Sequence, residues 1–182
     1  MDTLDLLLHP VRLRIVHAMS GSRILTTSGL CASLPDVPKT TVYRHVGLLA
    51  EAGVLEVAGE QRVHGAVERS YQLRRERIVI DAEAAASMSL DDHRRGFAAA
   101  MAALLADFNA YLGRDHADPV ADWVSYRQFP LWLSRDELAA LIGTLTEAVR
   151  AAAGNGPGPD RHPHLLSTIL FPLGEPPGSP RS

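Results

Sequence analysis

The chain has 182 residues, 46% of them hydrophobic and 21% charged, which is the composition of a folded domain and excludes general disorder. No apolar run approaches the roughly 18–20 residues that a membrane span requires. Its single cysteine, Cys31, excludes an internal disulfide, and the first ten residues lack the basic and apolar regions of a signal peptide. We therefore expect a cytoplasmic protein.

The formal net charge of −3 gives no overall sign of a nucleic-acid partner, but the charge is unevenly distributed. Residues 1–75 contain nine Arg or Lys against seven Asp or Glu, whereas residues 76–182 contain nine against fourteen. This split predicts a weakly basic first unit at 1–75 and an acidic second unit at 76–174. A Pro, Gly and Ser-rich tail at 175–182 is predicted to be disordered.

Three helices are predicted in the first unit. Thr27 or Ser28 is suited to cap a short second helix, and a third helix is expected over residues 39–52, with Gly53 as a left-handed C-cap. Apolar residues at spacings of three and four predict the first helix, with Pro10 near its start: Leu4, Leu8, Val11, Ile15 and Met19.

Two β-type runs follow, at residues 54–57 and 67–73, joined by a basic, glycine-flanked loop at 58–66. A helix, a short helix, a tight turn, a two-faced helix and a hairpin, in this order, are the parts of a winged helix-turn-helix. The sequence therefore predicts that fold for the first unit.

The second unit is predicted to contain a long helix from Ser89, which forms a capping-box pattern with Asp92. Two strands are predicted at 124–133 and 165–173, with a helix between them that opens with a capping box at Ser134. The fold class is thus α+β and mostly helical. Large apolar residues form a stripe on the long helix, which we expect to be a dimer interface: Phe97, Met101, Leu104, Leu105, Phe108 and Leu112. Eight of the ten aromatic residues follow residue 76, which leaves open a pocket for a small apolar effector.

The first unit resembles the ArsR-type bacterial transcriptional regulators in three segments: His9-Pro10-Val11-Arg12, Pro38-Lys39-Thr40-Thr41-Val42-Tyr43-Arg44-His45-Val46, and Glu51-Ala52-Gly53-Val54-Leu55. The resemblance covers about residues 8–75. It implies homodimers that bind a double-stranded DNA operator, with the third helix in the major groove and the wing along the backbone or the minor groove. The paired-cysteine metal site of that family is absent, because Cys31 is the only thiol, and we expect neither metal nor cofactor.

A helix that enters the major groove needs short polar groups and basic side chains near its N-terminus. The only lysine of the chain falls at that position. Thr27 and Ser28 are candidates to bind a phosphate at the N-terminus of the short helix, although capping explains them equally well. The other candidate DNA contacts lie on the third helix and the wing: Lys39, Thr40, Thr41, Tyr43, Arg44, Arg62, His64 and Arg69.

Catalytic motifs are missing, since the sequence has no Gly-x-Ser-x-Gly, phosphate loop or His-Glu-x-x-His. We therefore expect no enzyme. The preferred interpretation is a homodimeric, sequence-specific transcriptional regulator that acts as a repressor through helix 39–52 and wing 58–66. The alternative is a winged-helix module for protein–protein contact, which the acidic second unit favours.

Overall fold

A computed structural model describes residue 6 and residues 8–63, 65–78 and 86–174 of the chain. The predicted tail at 175–182, as well as Leu4 and His64, lies outside these residues. The elements in chain order are α1 (Pro10–Met19), β1 (Leu25–Thr26), α2 (Thr27–Ser33), α3 (Lys39–Glu51), β2 (Leu55–Val63), β3 (Ala66–Leu73), a 3-10 turn (Arg75–Arg77), α4 (Leu90–Leu112) and α5 (Arg135–Ala153).

The starts of α1 and α2 are set by side chains that accept backbone N–H groups. The His9 ring accepts from the Val11 amide at 3.2 Å, and Pro10 fits the first turn because its missing N–H would have had no partner there. The prediction that Thr27 or Ser28 caps α2 is wrong. Thr26 does so by accepting from Gly29 at 3.1 Å, since it is the last extended residue of β1 and residues 27 and 28 are already helical.

The hydrophobic core lies between α1, α2, α3 and the base of the hairpin. Three short helices cannot each be stable alone, so their apolar faces must be buried together. Cys31 is a free thiol at the edge of this core. The largest side chains that are almost completely buried are Leu6, Ile15, Met19, Leu30, Val42, Val46, Leu49, Val54 and Leu55.

Gly53 follows α3 with a backbone φ of +71°, in the left-handed region that the sequence predicts. A Cβ there would meet only the Arg74 guanidinium at 3.9 Å, so the cost of Gly53→Ala is conformational. We expect a loss of about 1–2 kcal/mol in the free energy of unfolding. Gly47→Ala, inside α3 with open space around its Cβ, should instead gain about 0.5–1 kcal/mol. Urea unfolding of both variants tests this opposition of sign, and equal signs would contradict it.

The hairpin differs from the predicted short strands and long loop. Strands β2 and β3 pair antiparallel as far as Val63 and Ala66, so the predicted loop at 58–66 is mostly strand and only residues 64 and 65 connect the two. Cross-strand pairs of complementary polar side chains extend the ribbon, because Arg69 donates to Glu60 and Gln61 donates to Glu68. The sheet order is β1-β3-β2.

Helix α4 begins with the predicted capping box, in which Ser89 accepts from the Asp92 amide and Asp92 accepts from the Ser89 amide. Its buried face consists of small residues, Ala99 and Ala103, and it packs against α1. Gly96 allows this close approach, since a Cβ there would lie 3.1 Å from Leu8. The large apolar stripe on α4 is therefore not the face that covers the core.

Helix α5 is present, with the predicted capping box between Ser134 and Glu137. The two strands predicted beside it are wrong, because residues 124–133 and 165–173 have extended or irregular backbone without strand pairing. Pro130 and Pro172 each remove a backbone donor from these segments, and neither segment finds a partner backbone within the described chain. The predicted strand-helix-strand unit is thus a single helix between two unpaired segments.

Candidate nucleic-acid interface

The outward face of α3 carries polar and basic side chains, while Val42, Val46 and Leu49 on its other face are buried. Pro38 provides no side-chain hydrogen bond to the first turn, so the positive end of the helix dipole is not neutralised by a cap. Four predicted contact residues are exposed and a fifth, Thr41, is half-buried; the exposed ones are Lys39, Thr40, Tyr43 and Arg44.

A shallow cleft separates the N-terminal parts of α2 and α3. Ser28 lies on one side of it, and Lys39 and Tyr43 lie on the other. Cys31 and Ala32 of α2 also line it. The tertiary structure thus places one predicted contact of α2 beside two predicted contacts of α3, although Ser28 and Tyr43 are far apart in sequence.

The wing carries two predicted basic contacts on one face of its ribbon. Arg69 pairs with Glu60 across the strands and Arg62 is opposite Val67, so the alternation of side chains places Arg62 and Arg69 on the same side. Glu60 accepts from Arg69 Nε at 2.8 Å, and both side chains are about half exposed. An exposed ion pair of this kind contributes little to stability, but it offsets part of the positive charge of the wing.

Residues 7–58 match the helix-turn-helix domain family. The match spans α1, α2, α3 and the start of β2, and the β2–β3 ribbon completes an α+β winged helix. No curated protein matches the chain. In helix-turn-helix domains that bind DNA, the second helix of the motif enters the major groove. The corresponding helix of this chain is α3. The fold and the match together support a DNA-binding regulator.

Glu68 is a residue of this domain that the sequence did not single out. Hydrogen bonds from the side chains of Ser28, Gln61 and Thr26 hold the pKa of the Glu68 carboxyl below its ordinary value. A carboxylate therefore lies at the N-terminus of α2, beside the candidate phosphate contacts Thr27 and Ser28. The pairing of Thr26 with Ser70 places Glu68 there, and that register is not readable from the sequence.

His45 belongs to the packed side of α3 and not to its exposed face. Its side chain is 2% exposed, and its ring lies 4.4 Å from the ring of His9. Arg44 donates to His45 Nε2 at 3.5 Å, while the buried Nδ1 has no hydrogen-bond partner among the residues that the structure describes. Burial, followed by the charges of His9, Arg44 and Arg12, lowers the pKa of His45 to about 4.

Arg14 joins three parts of the molecule. Its guanidinium, 3% exposed, donates two hydrogen bonds to Asp36 in the turn between α2 and α3, at 2.6 and 2.8 Å. Its Nε donates to Asp107 of α4 at 2.6 Å, and Asp107 also contacts His17 Nδ1 at 2.9 Å. Although burial of Asp107 opposes it, the hydrogen bonds from His17 and Arg14 keep the pKa of this carboxyl below its ordinary value. The Arg14 cluster, meaning these four residues, thus fixes the turn against α4.

The predicted dimer stripe on α4 is exposed to different degrees. Phe97, Leu105 and Leu112 are between 47% and 61% exposed, and Met101, Leu104 and Phe108 are half-buried.

Among the described residues, no group of three or more His, Cys, Asp or Glu side chains is arranged to hold a metal ion. Nor does any helix of this part of the chain combine the length and apolarity needed to cross a membrane.

Proposed function

We propose that this protein is a sequence-specific transcriptional repressor of the ArsR type, which binds its operator as a homodimer. The main observation that supports this proposal is that the helix-turn-helix domain presents Lys39, Tyr43 and Arg44 on the exposed face of α3. Basic side chains near the start of a recognition helix supply both phosphate contacts and hydrogen bonds to guanine.

Dimerisation is supported by the large apolar side chains that α4 leaves exposed. An exposed apolar stripe is typical of a surface that a partner covers. Two copies related by a two-fold axis would present two α3 helices to successive major grooves, which requires half-sites about one helical turn apart. Arg62 of the wing contacts the DNA backbone in this arrangement. Arg69 must first break its ion pair with Glu60 before it can contact a phosphate.

Selection of bound sequences from random DNA by the purified protein tests the proposal directly. We expect enrichment of a near-palindromic sequence. Arg44→Ala should then weaken operator binding by about 1–3 kcal/mol if its guanidinium reads a base. Lys39→Ala should reduce by about one the slope of the logarithm of the DNA association constant against the logarithm of the salt concentration. Arg94→Ala, at an exposed position near the start of α4, is the matched control for charge and should leave affinity unchanged.

The protein–protein module is the second candidate, and Glu68 is the observation that favours it. A carboxylate at the N-terminus of α2 and the Glu60–Arg69 pair both reduce the affinity of this face for phosphate. Absence of any enriched DNA sequence, together with equal, weak DNA binding by the wild type and both α3 variants, would favour this candidate and contradict the repressor.

A further inference from the structure

Residues 118–174, which we call the arm, expose far more apolar surface than a folded monomer tolerates. Trp123 is 91% exposed and Trp132 is 84% exposed. None of the nineteen residues of α5, all of them described, is buried. Other large apolar side chains of the arm with at least half of their surface exposed are Val120, Tyr126, Phe129, Leu131, Leu166, Leu170, Phe171 and Leu173.

The amphipathic pattern of α5 shows that one face is made for burial. Ile142, Leu145 and Val149 lie on one side, together with Leu138 and Leu141, and are 42–46% exposed. The capping box at Ser134 satisfies the first turn but contributes only about 1 kcal/mol. Because most helical stability in proteins comes from packing of an apolar face, α5 requires a surface that the described chain does not provide.

The exposed area has the size of a homodimer interface. The accessible surface of the chain is 13764 Å², whereas a compact monomer of 19.7 kDa exposes about 8,600 Å². If each of the 22 residues outside the described part contributed the full area of an extended residue, about 160 Å², an excess of about 1,600 Å² would still remain. Obligate homodimers bury about 1,000–2,500 Å² on each partner.

The charge of the arm and its position in the chain also indicate a second copy of the chain as its partner. The arm contains four Arg and six Asp or Glu, so it lacks the basic excess that attraction to an anionic membrane or a nucleic acid requires. The arm follows directly after α4. Its first residues are held against α4, because Tyr111 donates to Asp122 at 2.6 Å and the rings of Phe108 and Tyr126 meet edge to face. The apolar arm and the exposed apolar stripe of α4 are therefore adjacent.

We propose that the arm packs on the α4 stripe of a second copy of this chain, so that the two subunits exchange arms about a two-fold axis. This inference rests on the homodimer of the proposed function and names the surfaces that form it. Each arm covers the Phe97, Leu105 and Leu112 side chains that its own subunit leaves exposed. The unpaired segments at 124–133 and 165–173 gain partner backbone in the dimer.

Cross-linking between isotopically distinct subunits tests the exchange in the full-length protein. A photoreactive residue replaces Trp132, and equal amounts of ¹⁴N- and ¹⁵N-labelled chains are mixed, allowed to exchange and irradiated. We expect cross-links to α4, about half of which join a light to a heavy peptide, as random pairing of two subunits requires. Cross-links that join only peptides of one isotope, or that never reach α4, would overturn the arm exchange.

A pair of charge insertions in α5 gives the energetic test. Leu145→Arg places a charge in the proposed interface, whereas Ala140→Arg adds the same charge on the opposite face of the helix. Sedimentation should show a dimer dissociation constant raised at least about tenfold by Leu145→Arg and unchanged by Ala140→Arg. A monomeric wild type, or equal effects of the two insertions, would overturn the inference, and circular dichroism checks that both variants are folded.

The outcomes separate the arm exchange from the proposed function. A protein that selects a DNA sequence as a dimer but cross-links only within one subunit contradicts the arm exchange alone. A protein that gives mixed-isotope cross-links to α4 but selects no DNA sequence contradicts the repressor alone. The two experiments therefore fail independently.

Discussion

Arg14→Ala is expected to lower the free energy of unfolding by about 3–5 kcal/mol, because it leaves two carboxylates without their buried cation. Arg14 is 3% exposed, and it donates to both oxygens of Asp36 and to Asp107. Burial would disfavour its charged form, but the hydrogen bond to Asp36, the largest effect, raises the pKa of Arg14 above its usual value. Urea unfolding near neutral pH measures the loss.

Arg23→Ala is the control for the Arg14 variant. Arg23 donates only to the Ala18 carbonyl among the contacts described, at 2.9 Å, so its removal should cost about 1 kcal/mol or less. The double variant Arg14→Met with Asp36→Asn should recover part of the loss, because it removes a charge of each sign from the cluster. A loss below about 1 kcal/mol for Arg14→Ala would show that the Arg14 cluster does not hold the turn against α4.

Acid is expected to destabilise the helix-turn-helix domain through His45. The pKa of His45 is lowered to about 4 in the folded protein, chiefly by burial, against 6.5 for the ordinary side chain. Between these values the unfolded state binds more protons, so stability falls as pH decreases from about 6.5 towards 4. From pH 7.5 to pH 5 this one group accounts for a loss of about 2 kcal/mol.

Unfolding of His45→Leu at the two pH values tests this assignment. The variant cannot take up the proton, so its loss of stability between pH 7.5 and pH 5 should be about 2 kcal/mol smaller than that of the wild type. His9, whose pKa is also lowered, first by burial, leaves a residual dependence in the same direction. His116→Leu changes an exposed histidine and should leave the difference as in the wild type. Parallel curves for wild type and His45→Leu would contradict the assignment.

Local features of this protein were predictable because they depend on residues within four positions of one another. Pro10 and Gly53 sit where their backbone preferences place them, at the start of α1 and after α3. The capping boxes at Ser89 and Ser134 are confirmed for the same reason. The candidate contacts on α3 follow from helical periodicity, and their role in binding DNA stays a prediction.

Features that depend on distant residues were not predictable. The Arg14–Asp107 hydrogen bond joins residues 93 positions apart, and no pattern in the sequence connects them. Periodicity identifies the large apolar stripe of α4 as a predicted dimer interface, but it does not indicate that Ala99 and Ala103 face α1, where small side chains permit close packing of two helices. Glu68 lies at the N-terminus of α2 because of the register between β1 and β3, which the sequence does not specify.

The sequence by itself determined the order of the three helices and the hairpin in the first unit, the outward face of α3 and the start of α5, since hydrophobic periodicity and capping act within one element. Only the tertiary structure decided which face of α4 meets the core, what occupies the N-terminus of α2 and that the segments at 124–133 and 165–173 stay unpaired. The physical reason is that strand pairing and helix packing depend on which surface the rest of the fold places next to the strand or the helix. For the arm, we propose that this surface belongs to a second copy of the chain.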